Sequence, residues 1–157
     1  MTKTPAALYT VLASAEMVTW AGLITAMIAR YGFRYDGDLF FVAGLSHGIV
    51  FLAYGLTALV IGINLRWGFW PTALAVVMAI IPFATLPFDR WLVKRNKLEG
   101  SWRTLATTDP APAGFLNNLV RFWVGHPVGF FVLIVVGMAA TITLLLSVGP
   151  PTEWGNA

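Results

Sequence analysis

The chain has 157 residues, of which 58% are hydrophobic and only 11% are charged, whereas a soluble domain has about a quarter charged residues. This composition indicates an integral membrane protein. With no cysteine and two histidines, the sequence excludes disulfides, Cys-bound zinc, iron–sulfur clusters and a cytochrome with two bis-histidine haems. The net charge of +3 comes from Lys and Arg between apolar runs, where these residues set membrane orientation rather than bind nucleic acid.

Four apolar runs are predicted to be transmembrane helices, since a span needs about 20 apolar residues. They cover roughly residues 6–29, 39–64, 68–88 and 128–148. In the third run, Pro82 should kink the helix and Pro87 should end it, because proline removes a backbone donor and clashes with the preceding turn. Before the fourth run, apolar residues at helical spacing predict a short amphipathic helix in the membrane interface.

We therefore predict an all-α, four-helix transmembrane bundle. It comprises a three-helix unit over 1–95, a cytoplasmic linker with the interfacial amphipathic helix over 96–127, and a fourth helix with a short tail over 128–157. With four spans, Lys3 and Arg66 lie on one side and the other basic residues lie opposite. The positive-inside rule then places both termini outside. A re-entrant third or fourth run would change this distribution.

Glu16 is the most informative polar residue, because a carboxyl group inside a membrane helix is costly unless something compensates. Antiparallel pairing of the first two helices about a link near Arg34 places Glu16 between His47 and Tyr54 in depth. The seven-residue spacing puts His47 and Tyr54 on one helix face. The sequence thus predicts an intramembrane polar network of Glu16, His47 and Tyr54. Two interpretations stay open: a network that pins two helices together, and a site that handles protons or binds a ligand.

Small residues at regular spacing predict close helix packing, since they let membrane helices approach each other. The residues concerned are Gly44, Gly48, Gly55, Gly62 and, in the fourth run, Gly137 followed by Thr141. Packing within the chain is favoured, and contact with another membrane protein is the alternative.

A basic cluster follows the third run and is predicted to lie in the cytoplasm and bind anionic phospholipid headgroups. It consists of Arg90, Lys94, Arg95 and Lys97. A specific protein contact is the alternative.

Motifs for catalysis are missing: there is no glycine-rich phosphate loop, no Ser–His–Asp order and no pair of acids at catalytic spacing. His126 has no acidic residue or histidine nearby in the sequence, and we interpret it as a surface residue. We therefore predict no catalytic, cofactor-binding or metal-binding residue and no enzyme activity.

The segment from about Leu8 to Arg95 resembles a family of small, chiefly actinobacterial membrane proteins catalogued as domain of unknown function 3817. The resemblance rests on Ala15-Glu16, Ser46-His47-Gly48, Tyr54, Leu65-Arg66-Trp67, Ile81-Pro82-Phe83 and Phe88-Asp89-Arg90-Trp91-Leu92. It implies a three-helix unit in the bacterial inner membrane, with the fourth helix as an addition. It implies no established activity.

Two functions from different classes follow. The first is a non-catalytic accessory subunit of a larger membrane complex, partnered by other integral membrane subunits and anionic phospholipids; the resemblance suggests the actinobacterial cytochrome bcc–aa3 supercomplex as host. The second is a small proton-coupled exporter that uses Glu16. The unequal distribution of Lys and Arg argues against the exporter, because dual insertion requires near balance. A third class is an intramembrane enzyme or lipid-binding protein using Glu16 and His47.

Overall fold

The computed structural model describes residues 4–103 and 114–147, and every regular element in those ranges is helical. This confirms the predicted all-α class. The elements are α1 (Pro5–Met27), which continues into a π-helical turn (Ile28–Gly32), α2 (Leu39–Asn64), α3 (Phe69–Met78), α4 (Thr85–Lys94), α5 (Phe115–Gly125) and α6 (Pro127–Ser147).

Two helices in the described part of the chain are long and apolar enough to cross a membrane: Pro5–Gly32, with 28 residues, and Leu39–Asn64, with 26. Only 17% and 6% of their most apolar windows are buried inside the protein. A core helix of a soluble protein would hide its apolar surface. Long apolar helices that leave most of that surface exposed are suited to lipid, so the chain is a membrane protein.

Helices α1 and α2 form an antiparallel pair. Tyr9 near the start of α1 contacts Tyr54, whereas Glu16, further along α1, contacts His47, which lies earlier in α2. This is the pairing that the sequence predicts. We call the end where α1 begins and α2 finishes the Asn64 end, and the opposite end, at the link between the helices, the Arg34 end.

The third apolar run does not form one helix: it contains α3 and the beginning of α4, which continues to Lys94. Helix α3 ends at Met78, the residue whose carbonyl the ring of Pro82 would meet in a continuous helix. Phe83 then adopts a left-handed backbone conformation with φ of 64°, and α4 begins at Thr85. The prediction that Pro87 ends a helix is wrong: this proline stands in the first turn of α4, where its missing N–H leaves no bond unmade.

The two short helices double back on each other instead of crossing. Just after α3, the Ala79 carbonyl accepts a hydrogen bond at 3.1 Å from the indole Nε1 of Trp20, in the second half of α1. At the beginning of α4, the Thr85 hydroxyl donates to the Ala13 carbonyl at 3.0 Å. As the chain advances through α4, its contacts therefore move back toward the start of α1. Helices α3 and α4 form a re-entrant hairpin, which enters and leaves at the Asn64 end.

The segment after α4 accordingly lies beside the turn that follows α2. The Trp67 indole donates to the Lys97 carbonyl. The Asn64 amide donates to the Ser101 carbonyl at 3.1 Å and accepts from the Arg103 N–H at 3.0 Å. The prediction that Arg66 and the basic cluster lie on opposite sides is therefore wrong. A run with two internal prolines can be a kinked span or a hairpin, and these contacts select the hairpin.

Candidate intramembrane site

Glu16 on α1 and His47 on α2 bring a carboxyl group and an imidazole together inside the helix pair. Glu16 Oε2 lies 3.8 Å from His47 Nδ1. Glu16 is wholly buried, and His47 is 9% exposed. The antiparallel register that the sequence predicts thus brings these two predicted site residues together.

Thr19 completes the polar contacts of the imidazole. Its hydroxyl donates to the Glu16 backbone carbonyl at 3.0 Å and lies 3.3 Å from His47 Nδ1. Because a hydroxyl carries a single proton, Thr19 Oγ1 acts as acceptor toward the histidine. Nδ1 of His47 can donate to Thr19 when it carries a proton, and it is also the nitrogen that faces Glu16.

The Glu16 carboxyl itself makes no hydrogen bond. Both of its oxygens are buried without a partner. Most buried polar atoms in proteins have at least one partner, and leaving one without costs about 1–3 kcal/mol. Glu16 is therefore the least satisfied polar group in the described helix pair.

Glu16 lies at the level of the break in the hairpin. Ala13, Glu16 and Trp20 follow each other at spacings of three and four residues, so they share one face of α1. Ala13 contacts Thr85 at the beginning of α4, and Trp20 contacts Ala79 just beyond α3. The intervening position on that face, Glu16, is thus at the depth of residues 79–84.

Aromatic rings cover the imidazole. The Trp20 ring centroid lies 4.3 Å from that of His47, and the Phe51 centroid lies 6.1 Å away. The same tryptophan that anchors the hairpin through Ala79 therefore contacts the histidine. This contact links the turn of the hairpin, residues 79–84, to the Glu16–His47 pair.

Tyr54 belongs to a second polar pair, with Tyr9, rather than hydrogen bonding to Glu16. The two hydroxyls are 2.6 Å apart, and both side chains are fully buried. Trp67 packs edge-on against Tyr9, with ring centroids 5.6 Å apart. The sequence analysis missed Tyr9, although the register that pairs residue 16 with residue 47 also pairs residue 9 with residue 54.

Asp89 is another buried acid that the sequence analysis did not select as a site residue. It is 4% exposed, and its Oδ1 accepts from the Thr10 hydroxyl at 3.0 Å. The carboxyl joins α4 to the first part of α1. Unlike Glu16, Asp89 has a hydrogen-bond donor within the described structure.

The predicted packing glycines divide into two groups. At Gly62 an added Cβ would overlap the Thr72 side chain, coming within 2.8 Å of its Cγ2, so this glycine lets α3 approach α2 closely. At the others, an added Cβ would meet nothing within 4 Å. These are Gly44, Gly48, Gly55 and Gly137.

The remaining predicted residues lie at the surface. Of the basic cluster, Arg90, Lys94 and Arg95 are exposed and Lys97 is half-buried. His126 is exposed, and its ring stacks on Phe122 with centroids 4.6 Å apart.

Within the described residues no three His, Asp or Glu side chains gather into a group that could hold a metal ion. Thr141 and Lys3 are predicted residues whose side chains lie outside those that the structure describes.

The architecture defines a helical membrane protein with two helices long and apolar enough to span a membrane, followed by a hairpin of two short helices. The chain belongs to the family described as domain of unknown function DUF3817, whose model matches residues 6–94. That match extends through α1, α2 and the hairpin to the last residue of α4, and it confirms the resemblance inferred from the sequence.

A relative in Streptomyces coelicolor, SCO5905, is described as a membrane protein and is 30% identical over 112 residues. The match covers 66% of this chain but only 12% of that protein. The chain therefore corresponds to a small part of a much longer relative. No solved structure matches the chain.

Proposed function

We propose that this protein is a non-catalytic accessory subunit of a larger complex in the bacterial inner membrane. The observation that carries the proposal is the relative in which the matching segment makes up 12% of the protein. A related unit is thus covalently joined to a much larger membrane polypeptide. Here the association would be non-covalent. The actinobacterial cytochrome bcc–aa3 supercomplex is the host that we propose on the resemblance of the sequence.

The glycine row on α2 supports a contact with another membrane helix. Gly44, Gly48 and Gly55 leave space that no side chain of the described structure enters. Rows of small residues allow close approach of membrane helices, which associate by packing rather than by the hydrophobic effect. We propose that a helix of the host packs along this row.

The re-entrant hairpin changes the proposed orientation. It brings most of the basic residues to the Asn64 end, whereas Arg30 and Arg34 flank the link at the opposite end. The positive-inside rule then favours a cytoplasmic Asn64 end, with the beginning of α1 also cytoplasmic. The residues that this orientation would place near anionic phospholipid headgroups are Arg66, Arg90, Lys94, Arg95 and Lys97.

Helices α5 and α6 complete the proposed arrangement. Phe115, Leu119 and Phe122 form an exposed apolar face on α5, as an interfacial helix requires. Helix α6 has 21 residues, enough for about 31 Å, and we propose that it crosses the membrane as a third span. The carboxyl terminus would then lie outside.

Affinity purification in a mild detergent, followed by mass spectrometry, tests the accessory role. We expect the wild-type chain to retain a stoichiometric membrane complex. The double variant Gly48→Leu/Gly55→Leu should lose it, because both new side chains enter the space of the proposed contact. The control is Gly22→Leu on α1, where an added Cβ likewise meets nothing within 4 Å. A wild-type chain that purifies alone under conditions preserving other membrane complexes would contradict the proposal.

A small proton-coupled exporter is the second candidate, favoured by the unpaired carboxyl of Glu16. Wild-type protein in proteoliposomes would then move a substrate in response to a pH step, and Glu16→Gln would abolish that movement while leaving assembly unchanged. An intact pH-driven flux in Glu16→Gln would exclude this role for Glu16.

A further inference from the structure

The Glu16 carboxyl raises a question that helix packing does not answer. A group with two acceptor oxygens occupies a fully buried position in the first span and receives no hydrogen bond. An apolar side chain of similar size would fill the same volume without this cost. Ionisable groups inside membrane helices are generally functional for this reason.

We propose that Glu16 and His47 form a proton-binding site that holds one exchangeable proton between them. The ligand is the proton itself. Without it, the site contains a carboxylate and a neutral imidazole and carries one negative charge. With it, the site is neutral overall, as either a carboxylic acid beside an imidazole or a carboxylate beside an imidazolium.

The distances fit a shared site. The separation of 3.8 Å between Glu16 Oε2 and His47 Nδ1 is longer than a hydrogen bond but within ion-pair range. A small rotation of either side chain would bring the two atoms into hydrogen-bond contact. Thr19 Oγ1, at 3.3 Å from the same nitrogen, holds the imidazole in place with Nδ1 directed toward α1.

The other titratable groups around the pair have partners of their own. On α4, Asp89 accepts from Thr10. Between α1 and α2, the hydroxyls of Tyr9 and Tyr54 bond to each other. Helix α3 contains no titratable side chain. No cationic side chain in the described contacts neutralises Glu16, so His47 is the group positioned to take or give its proton.

The hairpin break offers a further source of stabilisation for the charged state. Helix α4 has 10 residues and begins at Thr85, which contacts the Ala13 carbonyl one turn before Glu16. The amino end of a helix carries a partial positive charge. The start of α4 therefore favours negative charge at this level of the membrane, which makes loss of the proton from Glu16 less costly.

The two histidines allow a direct test by nitrogen NMR of the full chain in lipid nanodiscs, with histidine as the only labelled residue. His126→Gln assigns the His47 signals, and in the wild type His126 serves as an internal control. In Glu16→Gln, the imidazolium signal of His47 should disappear at a pH lower by about one unit or more, since an opposite charge at this distance shifts a titration by that amount. The titration of His126 should not change.

Asp89→Asn is the matched control, since it removes the other buried acid. It should leave the His47 titration within a few tenths of a pH unit of the wild type. A His47 titration that is the same in the wild type and in Glu16→Gln, together with no infrared band of a protonated Glu16, would overturn the proposal. An equal shift in Asp89→Asn would also overturn it, because the effect would then be a general response to lost charge.

Infrared spectroscopy of the wild type provides evidence that does not depend on the folding of a Glu16 variant. Isotope-labelled glutamate marks the carbonyl band of a protonated glutamate, and Asp89 is not labelled. The chain has two other glutamates, Glu99 and Glu153, so a band that persists in Glu99→Gln/Glu153→Gln belongs to Glu16. At neutral pH we expect either this band or an imidazolium signal from His47 in the same sample. The absence of both would show that no proton is bound and would contradict the proposal.

Discussion

Two regions of this protein that each begin with an apolar run fold differently. Helices α1 and α2 run for 28 and 26 residues, counting the π-helical turn with α1, as apolar spans. The next apolar run, of nearly span length, folds into a hairpin of two 10-residue helices. The length and hydrophobicity of the run alone therefore do not predict how it folds. The local backbone at 79–84 and the side chains that receive the returning helix decide it.

The contacts of the two regions differ in kind. Between α1 and α2, a hydrogen bond joins Tyr9 and Tyr54, and an unsatisfied carboxyl faces His47. The hairpin is held by single hydrogen bonds to α1: from the Trp20 indole to the Ala79 carbonyl, from Thr85 to a backbone carbonyl and from Thr10 to Asp89. The following predictions test how much each region depends on these contacts.

Gly62→Leu should have the largest effect, because an added side chain would collide with Thr72 where α3 meets α2. We expect a loss of about 1–3 kcal/mol in the free energy of unfolding, as for other overpacked contacts. Denaturation of the purified protein in detergent measures it. Gly55→Leu, on the open part of the same helix, should stay within about 0.5 kcal/mol of the wild type. Equal losses in both variants would show that α3 does not pack against Gly62.

Tyr54→Phe should destabilise the α1–α2 pair by about 1–2 kcal/mol, since it leaves the buried Tyr9 hydroxyl without a partner. The double variant Tyr9→Phe/Tyr54→Phe should recover part of that loss, because no hydroxyl is then left unpaired. The same denaturation assay gives the coupling energy of the pair. Strictly additive losses would contradict the hydrogen bond.

Thr85→Val should cost about 1 kcal/mol by removing the bond from α4 to the Ala13 carbonyl. Its effect should be local, since Tyr9 and Tyr54 are not involved. Hydrogen exchange should become faster at residues 85–94 and stay unchanged in the middle of α2. Uniformly faster exchange would mean that the hairpin and the helix pair unfold as one unit.

Glu16→Met should have the smallest effect and the opposite sign. It removes two unpaired oxygens from a buried position, and such a replacement is often neutral or stabilising. We expect a change between zero and a gain of about 1 kcal/mol. His47→Leu is the companion variant, and it should lose stability because it removes the ring contacts of the imidazole with Trp20 and Phe51. A large loss in Glu16→Met would mean that the carboxyl has a structural role.

The helix pair could be predicted from the sequence because three features indicate the same pairing. These are two long apolar runs, a short polar link and polar residues at matching depth. The contact of Glu16 with His47 follows from that register. The same register also pairs position 54 with position 9, so it predicts that Tyr54 faces Tyr9. Matching depth could not predict that Tyr54 hydrogen bonds to Tyr9 and not to Glu16, because it does not specify which side chains meet.

The hairpin could not be predicted in the same way. Pro82 and Pro87 are compatible with a kinked crossing helix and with a reversal. The choice depends on the left-handed conformation of Phe83 and on contacts with Trp20 and Ala13, which are distant in sequence. The error then extended to the basic cluster, which lies at the same end as Arg66 instead of opposite it.

Membrane-side labelling of single cysteines tests the re-entrant hairpin most directly, and the chain has no native cysteine to interfere. Thr4→Cys, Asp36→Cys and Ser101→Cys place thiols at three exposed positions. In intact cells, an impermeant thiol reagent should label Asp36→Cys alone, and permeabilisation should make Thr4→Cys and Ser101→Cys reactive together. Labelling of Ser101→Cys together with Asp36→Cys, with Thr4→Cys protected, would show that residues 68–94 cross the membrane and would contradict the hairpin.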